Sequence, residues 1–204
     1  MLDILFVCTG NLCRSPMAEA LFQSKLTSDY PGLTSLILAH SAGTSAVEDS
    51  PATSSAVQAM DLWDVDLEPH RSSELTLTQL RDADIVVVMA REHLLSIERM
   101  YPQALQKSTT LKHLASMSQE IAVRLGEETV QDEDEACQRL AAVLELLRDA
   151  ADSDNFLADV QSRSSDIIDP IGSSLQVYLG VAEDIESSLD KVMRALFGRP
   201  ETAA

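Results

Sequence analysis

The sequence predicts an α/β fold in three layers: a four-stranded parallel sheet with helices on both faces, carrying an acidic helical insertion. Three observations predict it. Leu2 to Val7 is short, apolar and β-rich, as expected of a buried parallel strand. Asp84 to Met89 is the strongest strand signal, a continuous β-branched run that needs cover on both faces. Segments of helical spacing alternate with such runs, the pattern of parallel strands joined by crossovers.

The elements follow in order. Ser15-Pro16-Met17-Ala18-Glu19 opens a helix, with Ser15 as its cap and Pro16 suited to its first position, and the helix runs to about Leu26 before Tyr30-Pro31-Gly32 breaks the chain. Leu33 to Ala39 reads as the second strand, leading into His40-Ser41-Ala42-Gly43-Thr44. Ala52 to Trp63 has helical spacing, with Ala52, Ala56, Ala59, Met60 and Trp63 on one side, which assigns Trp63 to the core. Arg91 to Met100 reads as a helix, ended by Tyr101-Pro102, and Ser108 to Leu111 as a weaker fourth strand. An amphipathic helix covers Leu175 to Phe197. Residues 118–163 carry twelve Asp and Glu against four Arg and no Lys, and contain a helix over about Glu133 to Asp152, where Ala136, Leu140, Val143, Leu144, Leu147 and Ala151 repeat at three- and four-residue steps. That helix packs on the domain, and Cys137 on it is structural. We read a single domain, 1–204, with 118–163 as the insertion.

Composition narrows the function classes. A formal net charge of −18 excludes nucleic acid as a partner class, because affinity there comes largely from Lys and Arg. No apolar stretch approaches the roughly 20 residues of a membrane span, and no leader pattern opens the chain. The expectation is a soluble, cytoplasmic protein without a membrane partner. Three cysteines, an odd number, fit a reducing compartment rather than a disulfide framework. An anionic substrate would meet a repulsive far field, so binding must rest on local donors, with the remainder screened beyond about 8 Å.

Those donors lie between the first strand and first helix, in CTGNLCRSP, residues 8–16. Gly10 permits backbone angles closed to other residues, so successive N–H groups can turn inward as an anion nest, and the helix N-terminus adds partial positive charge. Such surroundings favour the thiolate of a cysteine, here Cys8. Arg14 can return over the loop with a planar fork for two phosphate oxygens. Nucleophile, oxyanion cradle and bidentate cation share one loop. Singly, each residue has a blander reading: Cys8 as an inert buried thiol, or Cys8 and Cys13 as metal ligands, although their spacing is not that of a zinc knuckle and no histidine lies close in sequence.

VCTGNLCRSP resembles the phosphate-binding loop of the low-molecular-weight protein tyrosine phosphatases, a valine followed by C-x5-R-S and a proline. The resemblance implies two-step hydrolysis of a phosphorylated protein or peptide through a phosphocysteine on Cys8, with no metal or cofactor. It implies that Arg14 and the loop residues Thr9, Gly10, Asn11, Leu12, Cys13 and Ser15 bind the phosphoryl group, and that the Ser15 hydroxyl meets the Cys8 sulfur. Ser41-Ala42-Gly43 matches the family's SAG beside the loop, and the stretch His70 to Thr76 matches one whose histidine supports the loop asparagine, so His70 braces Asn11. Asp169-Pro170 matches the acid loop, which makes Asp169 the proton donor; Asp166 is the competitor without a following proline. Cys13 resembles a second loop cysteine that can trap an oxidised nucleophile as a disulfide. The segment 118–163 falls outside the resemblance.

Phosphotyrosine is the expected substrate, with protein-arginine phosphatase activity as the alternative. Family members directed at tyrosine often carry aromatics after the acid-loop proline and shortly after SAG-T, where this chain has Ile171-Gly172 and Ala46-Val47. The arginine-directed branch resembles this chain in CTGN, in Met89-Ala90 before a helix with His93, and in Thr110-Leu111-Lys112, but has a threonine where this chain has Leu12. Two further readings are an arsenate reductase, which needs a cysteine pair that Cys137 alone cannot form, and a non-catalytic phosphoresidue-binding module, which would have lost nucleophile or acid.

Overall fold

Leu2–Cys8 alternates its side chains between two apolar layers and becomes the central strand, β1. Leu2, Ile4, Phe6 and Cys8 lie in one buried cluster, Leu5 and Val7 in the other, the period-2 arrangement of a strand covered on both faces. The computed structural model describes residues 1–151 and 166–200. Around β1 stand β2 (Ile37–Gly43), β3 (Ile85–Val88) and β4 (Ser108–Thr110), all parallel, in the order β2-β1-β3-β4. The helices among the described residues are α1 (Arg14–Asp29), α2 (Ser54–Met60), α3 (Leu77–Asp82), α4 (Arg91–Met100), α5 (Leu111–Leu125), α6 (Glu133–Ala151) and α7 (Leu175–Phe197). One face of the sheet is covered by α1, α2, α5, α6 and α7, the other by α3, α4 and the 3-10 turn Pro102–Lys107, giving the expected three layers.

Several boundaries move for physical reasons. The second strand begins at Ile37 rather than Leu33, because Pro31–Leu33 closes a 3-10 turn that buries Leu33, and the parallel register with β1 then carries the strand from Ile37 opposite Leu2 to Gly43 opposite Cys8. The first helix runs past Leu26 to Asp29. The helix after Thr53 stops at Met60 and tightens into a 3-10 turn, leaving Trp63 half-buried against the core. Its start is fixed by the Thr53 hydroxyl, which accepts from Ala56 N–H at 3.2 Å. α4 and α7 have the bounds the sequence predicts.

Position 118, the expected start of the insertion, lies inside α5, so no structural break marks it. α6 buries Ala136, Leu140, Val143, Leu146 and Leu147 in the cluster that holds Phe6, with Leu144 packed at its margin. Arg139 ties its neighbours together by donating to Gly126 O and Ala195 O, each at 2.8 Å, at the C-terminal ends of α5 and α7, where cations satisfy free carbonyls. Cys137, expected to be structural, is exposed instead. The expected last residue of this helix, Asp152, and the remainder of 152–163 lie outside the described residues. No helix among the described residues is long and apolar enough to cross a membrane.

An aromatic chain joins the C-terminal helix to the sheet: the ring centres of Phe6 and Phe22 lie 5.6 Å apart, those of Phe22 and Phe197 6.1 Å and those of Tyr30 and Phe197 5.6 Å, and the Tyr30 hydroxyl donates to Gly198 O at 2.9 Å. Phe197 is fully buried. Phe197→Ala should lower the unfolding free energy by about 3–5 kcal/mol, read by urea titration of circular dichroism.

Candidate active site

The loop between β1 and α1 lies beyond the carboxyl end of the central strand, the place where open parallel sheets hold their ligands. Its carbonyls are tied outward in succession: Cys8 O accepts from Thr44 N–H, Thr9 O from Ser45 N–H and Leu12 O from Thr53 N–H, each at 2.9 Å, and Asn11 O lies 2.8 Å from His70 Nε2. In a trans peptide the N–H opposes the carbonyl. Fixing these four carbonyls outward therefore turns the amides of Thr9, Gly10, Leu12 and Cys13 toward the inside of the loop, which is an anion nest.

The left-handed residue of this nest is Asn11, at φ 53°, and not Gly10. Asparagine tolerates that conformation when its short side chain is hydrogen-bonded locally. Here the buried side chain is fully engaged: Nδ2 donates to Ser15 Oγ at 2.9 Å and Ser41 Oγ at 2.8 Å, and Oδ1 accepts from Ser73 N–H at 2.9 Å. Gly43 is required by proximity. A Cβ there would lie 2.6 Å from Thr9 O and 2.9 Å from Asn11 N.

Cys8 is buried at the foot of the loop, where its sulfur accepts from Asn11 N–H at 3.2 Å and from the Ser15 hydroxyl at 3.0 Å. Ser15 is thus not the cap of α1; the helix starts at Arg14, and the serine's hydroxyl relays from Asn11 Nδ2 to the sulfur. Cys13 is also buried, and burial together with the Cys8 sulfur pushes its thiol up to about 12, so it stays protonated at neutral pH.

Arg14 is 2 % exposed. Its Nη2 donates to Asp169 Oδ2 at 2.6 Å and to Thr9 Oγ1 at 3.3 Å, and its Nη1 to Ile167 O at 3.3 Å. Its Nε is buried and has no hydrogen-bond partner among the described residues, a cost that a bound acceptor would remove. Asp169 is partly exposed, and its other oxygen accepts from Ile171 N–H at 3.1 Å, which folds the turn after Pro170. The competing carboxylate, Asp166, is occupied elsewhere: Arg91 N–H reaches it at 3.0 Å and the Arg91 guanidinium at 3.2 Å. With Ile167 N–H on Met89 O at 2.8 Å, that pair anchors the stem of the acid loop to the end of β3.

A further buried residue reaches the loop. His93, at the third position of α4, accepts Ala90 N–H on Nδ1 at 3.0 Å, standing where a capping-box glutamate would, and its Nε2 lies 3.0 Å from Thr9 Oγ1. Burial, and then the Arg14 guanidinium, lower its pKa to about 4, so the ring is neutral at physiological pH.

The structure thus brings the expected residues together as two hydrogen-bonded groups on one loop: Cys8, Asn11, Ser15, Ser41 and His70 in one, and Thr9, Arg14 and Asp169 in the other. Leu12 and Cys13 complete the loop, and Gly10 supplies an amide rather than special backbone angles. Ser73 and the Asp166–Arg91 anchor go beyond what the sequence assigned, and so does His93's contact with Thr9. A histidine three residues into a helix that starts at a strand end was the available signal for the last.

Fold and loop together define a cysteine-based phosphatase. A family model described as low molecular weight phosphotyrosine protein phosphatase matches residues 3–153, and the chain belongs to that family. It is similar to a low molecular weight protein-tyrosine-phosphatase of Acinetobacter johnsonii, 39 % identical over 54 % of this chain and 72 % of the relative. It is also similar to a protein-arginine-phosphatase of Bacillus subtilis, 40 % identical over 57 % and 75 %. The solved structure of a low molecular weight protein tyrosine phosphatase from T. tengcongensis superposes with a TM-score of 0.66 at 30 % identity, covering 95 % of this chain and 98 % of that one.

Gly43→Ala should force the loop backbone aside, costing about 1–3 kcal/mol and most of the affinity for inorganic phosphate, measured by thermal unfolding and calorimetry. His93 also sets a pH dependence. Its pKa is depressed from 6.5 to about 4, so the folded state binds fewer protons, and stability present above pH 6.5 is lost as pH falls toward 4. Arg14, Glu92, Asp166 and Asp169 are the charged groups around it. His93→Gln should remove about 3 kcal/mol of that acid-side loss, read from urea titrations between pH 7 and 4.

Proposed function

We propose that this phosphatase hydrolyses phosphotyrosine on protein or peptide substrates through a phosphocysteine. One observation carries the reading: in the loop that holds the Cys8 sulfur, a buried arginine has an Nε–H without a partner among the described residues, while its Nη2 is held by the Asp169 carboxylate. A phosphoryl group satisfies Nε and the inward amides, and displaces Asp169 from Arg14 toward the leaving oxygen.

In the first step the Cys8 sulfur attacks phosphorus, the phosphorus–oxygen bond to the leaving group breaks, and Asp169 gives that oxygen its proton. In the second, Asp169 takes a proton from water, the water oxygen bonds phosphorus, and the sulfur–phosphorus bond breaks. The electron pair returns to sulfur, where Asn11 N–H and the Ser15 hydroxyl receive it. The loop amides and Arg14 stabilise the equatorial oxygens throughout. A reducing, cytoplasmic setting suits a mechanism that needs the Cys8 sulfur unoxidised.

Phosphoarginine is the second reading, favoured by the aliphatic rim: Val47 and Ile171 are 75 % and 53 % exposed where aromatic walls would stack a phenyl ring. Against it, Leu12 fills the position of the arginine-directed threonine.

Cys8→Ser should abolish turnover while leaving phosphate affinity, and Asp169→Ala should slow the first step by about 10²–10⁴, most for poor leaving groups. Equal rates for wild type and Asp169→Ala on such substrates would exclude Asp169 as the acid. Side-by-side turnover of phosphotyrosine and phosphoarginine peptides should favour phosphotyrosine by about tenfold or more in kcat/KM, with Leu12→Thr shifting preference toward phosphoarginine. A wild type that prefers phosphoarginine overturns the substrate assignment.

A further inference from the structure

His93 has no part in the two chemical steps, yet it is 1 % exposed and both of its ring nitrogens are engaged beside the loop. Its tautomer follows from geometry. Because Nδ1 accepts from Ala90 N–H, the proton of the neutral ring lies on Nε2. Nε2–H therefore donates to the Thr9 hydroxyl at 3.0 Å. Arg14 Nη2 donates to the same oxygen at 3.3 Å.

A threonine hydroxyl has two lone pairs and one hydrogen. Both lone pairs of Thr9 Oγ1 face donors, one from His93 and one from Arg14, so the hydroxyl hydrogen is left to donate to an acceptor. Thr9 directly follows the Cys8 nucleophile and belongs to the loop whose amides turn inward. A phosphoryl oxygen is an acceptor alone.

We propose that His93 is a positioning residue: it holds the Thr9 hydroxyl as an obligate donor to the oxyanion bound over Cys8. The proposal rests on reading the loop as the phosphoryl site. Thr9 thereby adds a side-chain donor to the backbone amides and Arg14, and a freely rotating hydroxyl, which could equally accept, becomes one of fixed sense. The His93 bond also holds the threonine against Arg14, so the cation and the hydroxyl are placed together.

The test is the dissociation constant for inorganic phosphate, measured by calorimetry, together with kcat and KM on a phosphotyrosine peptide. Thr9→Val keeps the shape and removes the hydroxyl; it should weaken phosphate binding about tenfold or more, as for a lost hydrogen bond to a charged group. Thr9→Ser should stay within about threefold of wild type. His93→Asn keeps an acceptor for Ala90 N–H but is too short to reach Thr9, and should lose nearly the same factor as Thr9→Val. His93→Gln places an amide N–H near the Nε2 position and should recover most of it. In the Thr9→Val background, His93→Asn should add less than about twofold, because its effect passes through the hydroxyl.

The proposal is overturned if His93→Asn weakens the Thr9→Val protein as much as it weakens wild type, since it then acts by general loosening. Unchanged phosphate affinity in His93→Asn overturns it too. Should His93→Asn fail to fold, the Thr9 pair decides: equal phosphate affinity for Thr9→Val and Thr9→Ser sinks the proposal. A wild type that binds phosphate but turns over no phosphoresidue contradicts the hydrolase reading alone, because the phosphate dissociation constants still report on the hydroxyl.

Discussion

The loop over Cys8 has its shape because one buried side chain makes an unfavourable backbone conformation worth adopting. Asn11 sits at φ 53°, where a residue with a Cβ is normally strained. Its amide donates to Ser15 and Ser41, its side-chain oxygen accepts from Ser73, and its own carbonyl meets His70. Those contacts tie together β2, the segment before α3 and the first turn of α1. Removing the asparagine would leave buried donors and acceptors unpaired as well as freeing the turn.

The other features of the site depend on that turn. With Asn11 left-handed, its own N–H reaches the Cys8 sulfur, and Ser15, held by the asparagine amide, reaches the sulfur as well. The outward carbonyls meet Thr44, Ser45 and Thr53, donors supplied by chain that only the parallel pairing of β1 with β2 brings alongside. Gly43 is the point of closest approach, and its missing side chain is what lets β2 run under the loop. On the far side the Asp166–Arg91 pair fixes the acid loop to the end of β3, so that Asp169 meets Arg14 without being part of the same element.

What the sequence made legible was local. A continuous apolar run gave β1, and apolar spacing together with its breakers gave the bounds of α4 and α7, because strand and helix periodicity are written in neighbouring residues. The Cys8 to Arg14 spacing marked the loop for the same reason. Where non-local contacts decide, the reading shifted. The second strand slid four residues because its register is set by β1, and the left-handed position fell on Asn11 rather than Gly10 because Ser41 and Ser73, far along the chain, compensate it. Ser15 has the composition of a cap, but the nearby sulfur claims its hydroxyl. Cys137 falls on the exposed side of a helix whose other residues pack inward.

On the proposed phosphatase reading, the donors of this loop are arranged before the anion arrives, with Arg14 Nε–H left for it. Proton–nitrogen NMR of the full-length protein during titration with inorganic phosphate tests this most directly. We predict that the Arg14 Nε–H resonance moves downfield to saturation, while the Asn11 side-chain amide pair is resolved in the free protein and shifts little. An Nε–H signal that ignores saturating phosphate, or an Asn11 amide pair that sharpens only when phosphate binds, would contradict the account.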